Sequence, residues 1–417
     1  MALNPISRWP LVLPAQTVQT VLQNPLPLAT SRTERDWIDV TIVVVTYNSL
    51  VFSKMCLESV LANSQGVRFE ILVVDNGSDD GTAEYLRELS ERDSRVRILL
   101  NQRNVGFPAA NNQALDLAEG DYFVLLNHDT IVPDGWLTGL LAHLNDRSVG
   151  MVGPVTNRCG NEAQIPVPYE TYGEFLQFAR EYTREHARQQ FEIRVLTMFC
   201  VAFPRDIYEW VGPLDESFGV GQFEDDDYSM RVRAAGYRVV CVEDVYVHHF
   251  GQAAIGKLAE GGEYGKLFHA NRLRWEQKWG RKWESYNYRP NVEYDQLKAK
   301  IRDVVRKNLP AVANVIIVGK GDEDLLRLDC GRGWHFPQNR DGGYAGYNPA
   351  DSSNAIAHLE ELRARGAEFI LFPKTSLWWL EHYREFSDYL KCNYGTGLVN
   401  DESCLVFSLT NPQRRES

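Results

Sequence analysis

From residue 39 the chain alternates two kinds of segment that fit together in one way, as a parallel sheet covered on both faces. VTIVVVTYN, FEILVVDNGS, VRILLN and DYFVLLNHD are short runs with apolar residues at consecutive positions. Between them FSKMCLESVLANS, TAEYLRELSER and NNQALDLAEG carry apolar residues at helical spacing. A strand that is apolar at every position has no face to give to water, so helices must cover both sides. This predicts an α/β fold.

A second, shorter series follows. VEYDQLKAKIRDVVRKNLP places Leu297, Ile301, Val304 and Val305 on one helical face and stops at Pro310. ANVIIVGKGDEDLLRLD, NAIAHLEELRARG, AEFILFP, TSLWWLEHYREFSDYLKCNY and SCLVFSLTN then read as strand, helix, strand, helix and strand. The expected division is an extended, proline-rich arm over 1–36, a main domain over 37–290 and a linker helix over 291–309. A small α/β accessory domain over 310–412 and a tail over 413–417 complete it. No internal repeat relates the halves.

Charge and cysteine usage remove several function classes. With 56 acidic residues against 44 Lys and Arg, the net charge is −12, the wrong sign for a general nucleic-acid binder. The seven cysteines are scattered without a CxxC pair, so neither a disulfide framework nor a thiolate metal site is expected. No apolar run approaches the roughly 20 residues of a membrane helix, and the N-terminus lacks a secretory pattern. A soluble, cytoplasmic protein is expected.

In open parallel sheets ligands sit beyond the carboxyl ends of the strands. Here those ends are Thr46-Tyr47-Asn48, Asp75-Asn76-Gly77-Ser78, Asn101 and Asn127-His128-Asp129. An Asp past a buried strand can accept hydrogen bonds from a base or ribose, and one past the fourth strand can hold a divalent cation. Each alone is also a common turn former; their conjunction on one edge points to a site. Further on, GVGQFEDDDYSMRVRAAGY gathers Glu224, Asp225, Asp226 and Asp227. A helix N-terminus favours anions, which accounts for one or two acids but not for four behind a glycine loop.

TIVVVTYNS, ILVVDNGSDDGT, NVGFPAANNQAL, FVLLNHDT and GQFEDDDYSMRVRAAGY together resemble inverting family 2 glycosyltransferases of the GT-A fold, the rhamnosyltransferase-like branch especially, over about residues 39–285. The resemblance implies a nucleotide-diphosphate sugar (UDP, dTDP or GDP) and Mn2+ or Mg2+. By position it implies that Thr46, Tyr47 and Asp75 contact the base and that Asn104, Gly106, Phe107 and Asn111 line the donor pocket, with Asn76, Asn127 and His128 also among the nucleotide- or donor-binding residues. Asn127-His128-Asp129 stands where the family has its Asp-x-Asp motif, with Asn127 for the first Asp. Asp129 becomes the carboxylate ligand and His249 its partner, with His248 beside it left open. Asp225 becomes the catalytic base and Glu224 its neighbour. Asp227 is expected to cap the helix or pair with Arg231, and Asp226 to face solvent.

The chemistry agrees with this layout. Displacement at an anomeric carbon needs a cation for the departing diphosphate and a carboxylate to take the proton of the attacking hydroxyl. With inversion the two lie on opposite faces, so two separate acidic sites are required. The expected function is a metal-dependent, inverting hexosyl- or deoxyhexosyltransferase of polysaccharide biosynthesis acting on a glycan or glycolipid. The alternatives are an inactive sugar-binding or scaffolding module and a sugar-nucleotide pyrophosphorylase. Peripheral membrane association and oligomeric state stay open.

Phe268, Leu273, Trp275 and Trp279 are expected as core. No family is recognised in the C-terminal domain; RGWHFPQNRDGGYAGYNP offers aromatics, glycines and polar groups as a sugar-stacking surface, and docking or stabilisation is the plainer role.

Overall fold

The structure is a computed structural model that describes residues 15–23, 38–251, 263–286, 289, 292–319, 321–329, 331–339, 342–345 and 348–410. The chain forms two compact units. The first is 1–254 with 274–282 and 286–289; the second is 255–273 with 283–285 and 290–417. The second unit thus takes in residues that the sequence reading assigned to the main domain.

In the first unit the strands are β1 Val40–Thr46, β2 Phe69–Asp75, β3 Val96–Leu100, β4 Tyr122–Asn127, β5 Thr130–Ile131, β6 Val149–Val155, β7 Gln190–Glu192, β8 Cys200–Pro204, β9 Arg238–Tyr246 and β10 His248–His249. Eight of them form one sheet in the order β3-β2-β1-β4-β8-β6-β9-β7. The β3-β2-β1-β4 half is parallel throughout, as is β6 with β9. Strand β8 runs antiparallel to β4 and β6, and β7 closes the edge antiparallel to β9. Along β1, Val43 and Val45 enter one core while Val40, Ile42 and Val44 enter the other. This period of two is what continuous apolarity encodes.

Helices α1 Ala15–Gln23, α2 Leu50–Asn63, α3 Thr82–Arg92, α4 Phe107–Leu115, α5 Trp136–His143, α6 Tyr172–Glu185, α7 Arg205–Val211 and α8 Glu224–Ala234 complete this unit's main body, and α9 spans Glu263–Trp279. Within the segment expected to be an extended arm, α1 is helical, with Val21 buried and the Leu22 carbonyl accepting from Lys54 Nζ at 2.9 Å. The helix expected from Asn111 begins instead at Phe107, because Gly106 turns the chain at φ 96° and a proline sits in the first turn. Strands β6 to β9 lie where the sequence shows no clear period, since antiparallel and parallel pairings mix there.

The second unit has α10 Val292–Asn308, β11 Asn314–Ile317, α11 Glu323–Leu326, β12 Arg332–His335, α12 Ser352–Ala364, β13 Phe369–Pro373, α13 Trp378–His382, α14 Arg384–Tyr394, β14 Val399–Asn400 and β15 Cys404–Ser408. Its sheet order is β12-β11-β13-β15-β14, parallel for β12, β11 and β13. The expected linker α10 is part of this core, packing Ile301 and Val305 with Val315, Ile317 and Leu371. The helix expected over 375–394 breaks at Tyr383, whose hydroxyl donates to Pro349 O at 2.6 Å. Trp379 is buried and Trp378 half-buried, as a helix must have them.

Candidate active site

The parallel register sets the polar edge of the sheet. Thr46 lies level with Asp75, and Asn127 one step away beside Val45. Asp75 is buried and nearly saturated: Oδ1 accepts from Thr46 Oγ1 at 2.9 Å and Ser78 Oγ at 2.5 Å, and Oδ2 from Ser78 N at 2.9 Å. A base can reach it only through the lone pair left on Oδ2. Tyr47 is exposed beside it. Asn76 donates to Asn104 Oδ1 and to Gly106 O, each at 3.3 Å, and Asn104 Oδ1 also takes Gly106 N at 2.8 Å. Asn111 is buried with its amide on Phe107 O at 2.8 Å, so it shapes helix α4 with that group.

The second station lies past β4. Strand β5 pairs antiparallel with β10, setting His249 opposite Thr130 and beside Asp129. His249 Nε2 stands 3.3 Å from Asp129 Oδ1. Its Nδ1 is 2.8 Å from Arg158 O, and since a carbonyl only accepts, Nδ1 carries the hydrogen. Nε2 therefore presents a lone pair to a carboxylate. Two acceptors facing each other call for a proton or a cation between them, with the carbonyl as the outer partner that fixes the ring. Asn157 clamps the His249 backbone through both its amide groups, at 2.8 and 3.1 Å, and Phe199 stacks on the imidazole at 5.0 Å. Among the described residues no group of three or more His, Cys, Asp or Glu gathers as a cation site. Asp129 and His249 stand there as a pair.

His248 is not equivalent to His249. It is buried, its Nδ1 bonds to Tyr169 Oη at 2.7 Å, and rings of Phe175 and Phe250 surround it. Burial pushes its pKa down to about 3. His128 is also buried, and burial lowers its pKa too. Asn127 closes β4, its backbone N–H on Phe199 O at 2.8 Å.

The acidic run opens α8, and the loop before it is strained: Gln222 and Phe223 both hold φ 76°, a left-handed conformation costly for residues with a side chain. The four carboxylates have different surroundings. Asp227 is fully buried and paired with Arg231 Nε at 2.9 Å, Lys278 Nζ at 2.7 Å and Trp279 Nε1 at 3.0 Å. Asp226, expected to face solvent, is only 3% exposed and accepts from the Tyr286 hydroxyl. The chain returns over it at residue 286, which no local pattern foretells. Glu224 and Asp225 are half-buried with no ion pair among the described residues. Glu224 Oε2 has no hydrogen-bond partner among the described residues. Burial, then neighbouring carboxylates, raise Asp225 well above the usual range, and burial first lifts Glu224 to about 7.

Two connections tie the stations together. A Cβ on Gly106 would meet Gly219 O at 2.1 Å, and Phe107 N donates to Val220 O at 3.2 Å. Asn112 adds bonds to Leu214 and Glu216 at 2.9 Å, so α4 holds the loop that precedes Glu224. On the other side Leu196 N donates to Ser229 Oγ of α8 at 3.2 Å, three residues from the Phe199 that stacks on His249. Three residues span at most about 11 Å. Asn112, Lys278, Trp279 and Tyr286 are absent from the sequence-based site. Of the residues expected as core in α9, Trp275 is buried but Leu273 is 48% exposed, and Trp279 is a hydrogen-bond donor to Asp227.

The sequence profile described as "Glycosyl transferase family 2" matches residues 41–212. Residues 41–212 are a glycosyltransferase family 2 domain. The family 2 match includes Asp75 and Asp129 and ends before the acidic run and His249. An uncharacterized protein of Sinorhizobium fredii is 31% identical over 229 residues, 52% of this chain and 25% of that one. The glycosyltransferase AglE of Haloferax volcanii is 26% identical over 212 residues, 50% of this chain and 66% of that one. The O-antigen biosynthesis protein RfbC of Myxococcus xanthus is 28% identical over 218 residues, 46% and 16% of the two chains. The matched region therefore spans less than two thirds of the length of each of these relatives. A solved mannosyltransferase of Pyrobaculum calidifontis, in complex with GDP-Man and Mn2+, aligns at 20% identity with TM-score 0.42 over 62% of this chain and 70% of that one. No helix among the described residues is long and apolar enough to cross a membrane.

Proposed function

We propose that the first unit transfers a sugar, with inversion, from a nucleotide-diphosphate donor to a hydroxyl of a glycan or glycolipid. The supporting observation is the pair of acidic stations, Asp129 opposed by the His249 imidazole and Glu224 with Asp225, which have no ion pair among the described residues. Asp129 and His249 would hold Mn2+ or Mg2+, which when bound neutralises charge on the departing diphosphate. Thr46, Tyr47, Asp75 and Asn76 would seat the nucleotide, and Asn104, Gly106 and Phe107 the sugar diphosphate. Asp225 takes the proton of the attacking hydroxyl; its raised pKa makes it a stronger base once ionised. Glu224 Oε2, buried and without a partner among the described residues, accepts from the same or a neighbouring acceptor hydroxyl and so orients it.

A thermal-shift panel of UDP, dTDP and GDP sugars with and without Mn2+ tests this. A donor at 100 times its dissociation constant adds about 2.7 kcal/mol to the native state, and the shift is expected only with metal. Equal shifts without metal would remove Asp129 and His249 from the role. No shift with any donor would end the nucleotide-sugar reading.

A further inference from the structure

Arg158, just past β6, meets the Asp129–His249 pair through both its backbone and its side chain. Its carbonyl oxygen lies 2.8 Å from His249 Nδ1 and so turns the imidazole toward Asp129. Its side chain folds back along the same stretch, where Nη1 donates to Phe250 O at 3.0 Å, one residue beyond His249. Gly251, at φ 62°, leaves room for this: a Cβ there would lie 2.9 Å from Arg158 Cδ and 3.0 Å from Nε.

The partner of this guanidinium sets it apart. Arg95, Arg97, Arg231 and Arg289 each face a carboxylate, so their charges are compensated where they stand. Arg158 is exposed, rests on a neutral carbonyl and has no ion pair among the described residues. Apart from the hydrogen bond to Phe250 O, its planar fork has no partner among them. Such a fork is suited to two oxygens of one anion, phosphate above all. The neighbouring pair says which anion. A divalent cation held by one carboxylate and a neutral imidazole keeps less positive charge than a diphosphate carries negative, and a fixed guanidinium beside it makes up the difference.

We propose that Arg158 binds the sugar-bearing phosphate of the nucleotide-diphosphate donor. This rests on the transferase reading above. In the transfer the acceptor oxygen bonds to the anomeric carbon and its proton passes to Asp225. The bond from that carbon to the phosphate oxygen breaks, and its electron pair stays on the oxygen. The departing diphosphate thus gains negative charge, so Arg158 holds it more strongly than the intact donor, which favours the transition state.

Calorimetric titration of the full chain with UDP, dTDP and GDP, their monophosphates and their sugar esters, all with Mn2+, tests this. The diphosphate that binds the wild type should bind Arg158→Gln at least about tenfold more weakly. Its monophosphate should stay within about twofold of wild type, and the sugar ester should lose less than the free diphosphate. Should Arg158→Gln fail to fold, Arg158→Lys, which keeps the charge without the fork, decides by the same fall in the ratio of diphosphate to monophosphate affinity. Undiminished diphosphate binding, or an equal fall for the monophosphate, would overturn the proposal and leave the transferase reading standing. A wild type that binds none of the diphosphates or sugar esters would overturn both.

Discussion

Asp225 and Asp227 stand two positions apart on one helix and have opposite environments. Asp227 is wholly buried yet surrounded by Arg231, Lys278 and Trp279, so its charge is compensated where it sits. Asp225 is less buried but has other carboxylates as its nearest charges, and its pKa rises. Burial alone does not decide what a carboxylate is for; its partners do. The paired one anchors α8 to the returning segment at 278–279. The unpaired one is left with proton affinity to use.

The largest effect should come from Asp225→Asn. Turnover is expected to fall about a thousandfold, within the range for losing a general base, while donor affinity stays within about twofold of wild type. Wild-type turnover in this variant would sink the assignment. Asp227→Ala should act on folding instead, costing about 3 kcal/mol because two cations lose their buried acceptor; urea denaturation reads this directly. An equal loss in both variants would erase the contrast between them. Next, Asp129→Ala and His249→Ala should each weaken metal-dependent donor binding by at least about tenfold, measured by titrating Mn2+ at fixed nucleotide. His248→Phe should leave that affinity unchanged.

The smallest effect is a pH dependence. Glu224 titrates near 7 in the native state and near 4.3 when unfolded. Between those values the native state binds more protons, so stability falls as pH rises from about 4.5 to 7. kcat/KM should rise with pH as the base, Asp225, ionises above the usual carboxylate range. Glu224→Gln should flatten the stability curve, and melting at pH 5 and 8 checks it.

Much of this was legible beforehand. The four parallel strands from β1 to β4 and the small second sheet follow from apolar runs, because a strand buried on both faces can be written only in apolar residues. Asp129 and His249 were named as a pair from their position in motifs, and the structure brings them to 3.3 Å. Asp226 was misread because its cover, Tyr286, is sixty positions away. Helix α10 was read as a linker for a related reason: its amphipathic face says that it packs, not on what.

The sequence by itself determined the element types, the polar edge of the parallel strands and the four adjacent acids, because these are set by local pattern and strand period. Only the tertiary structure decided which carboxylate is paired, which histidine faces Asp129 and which glycines let α4 close on the loop before Glu224. Those outcomes depend on contacts between residues far apart in the chain, and such contacts leave no periodic mark.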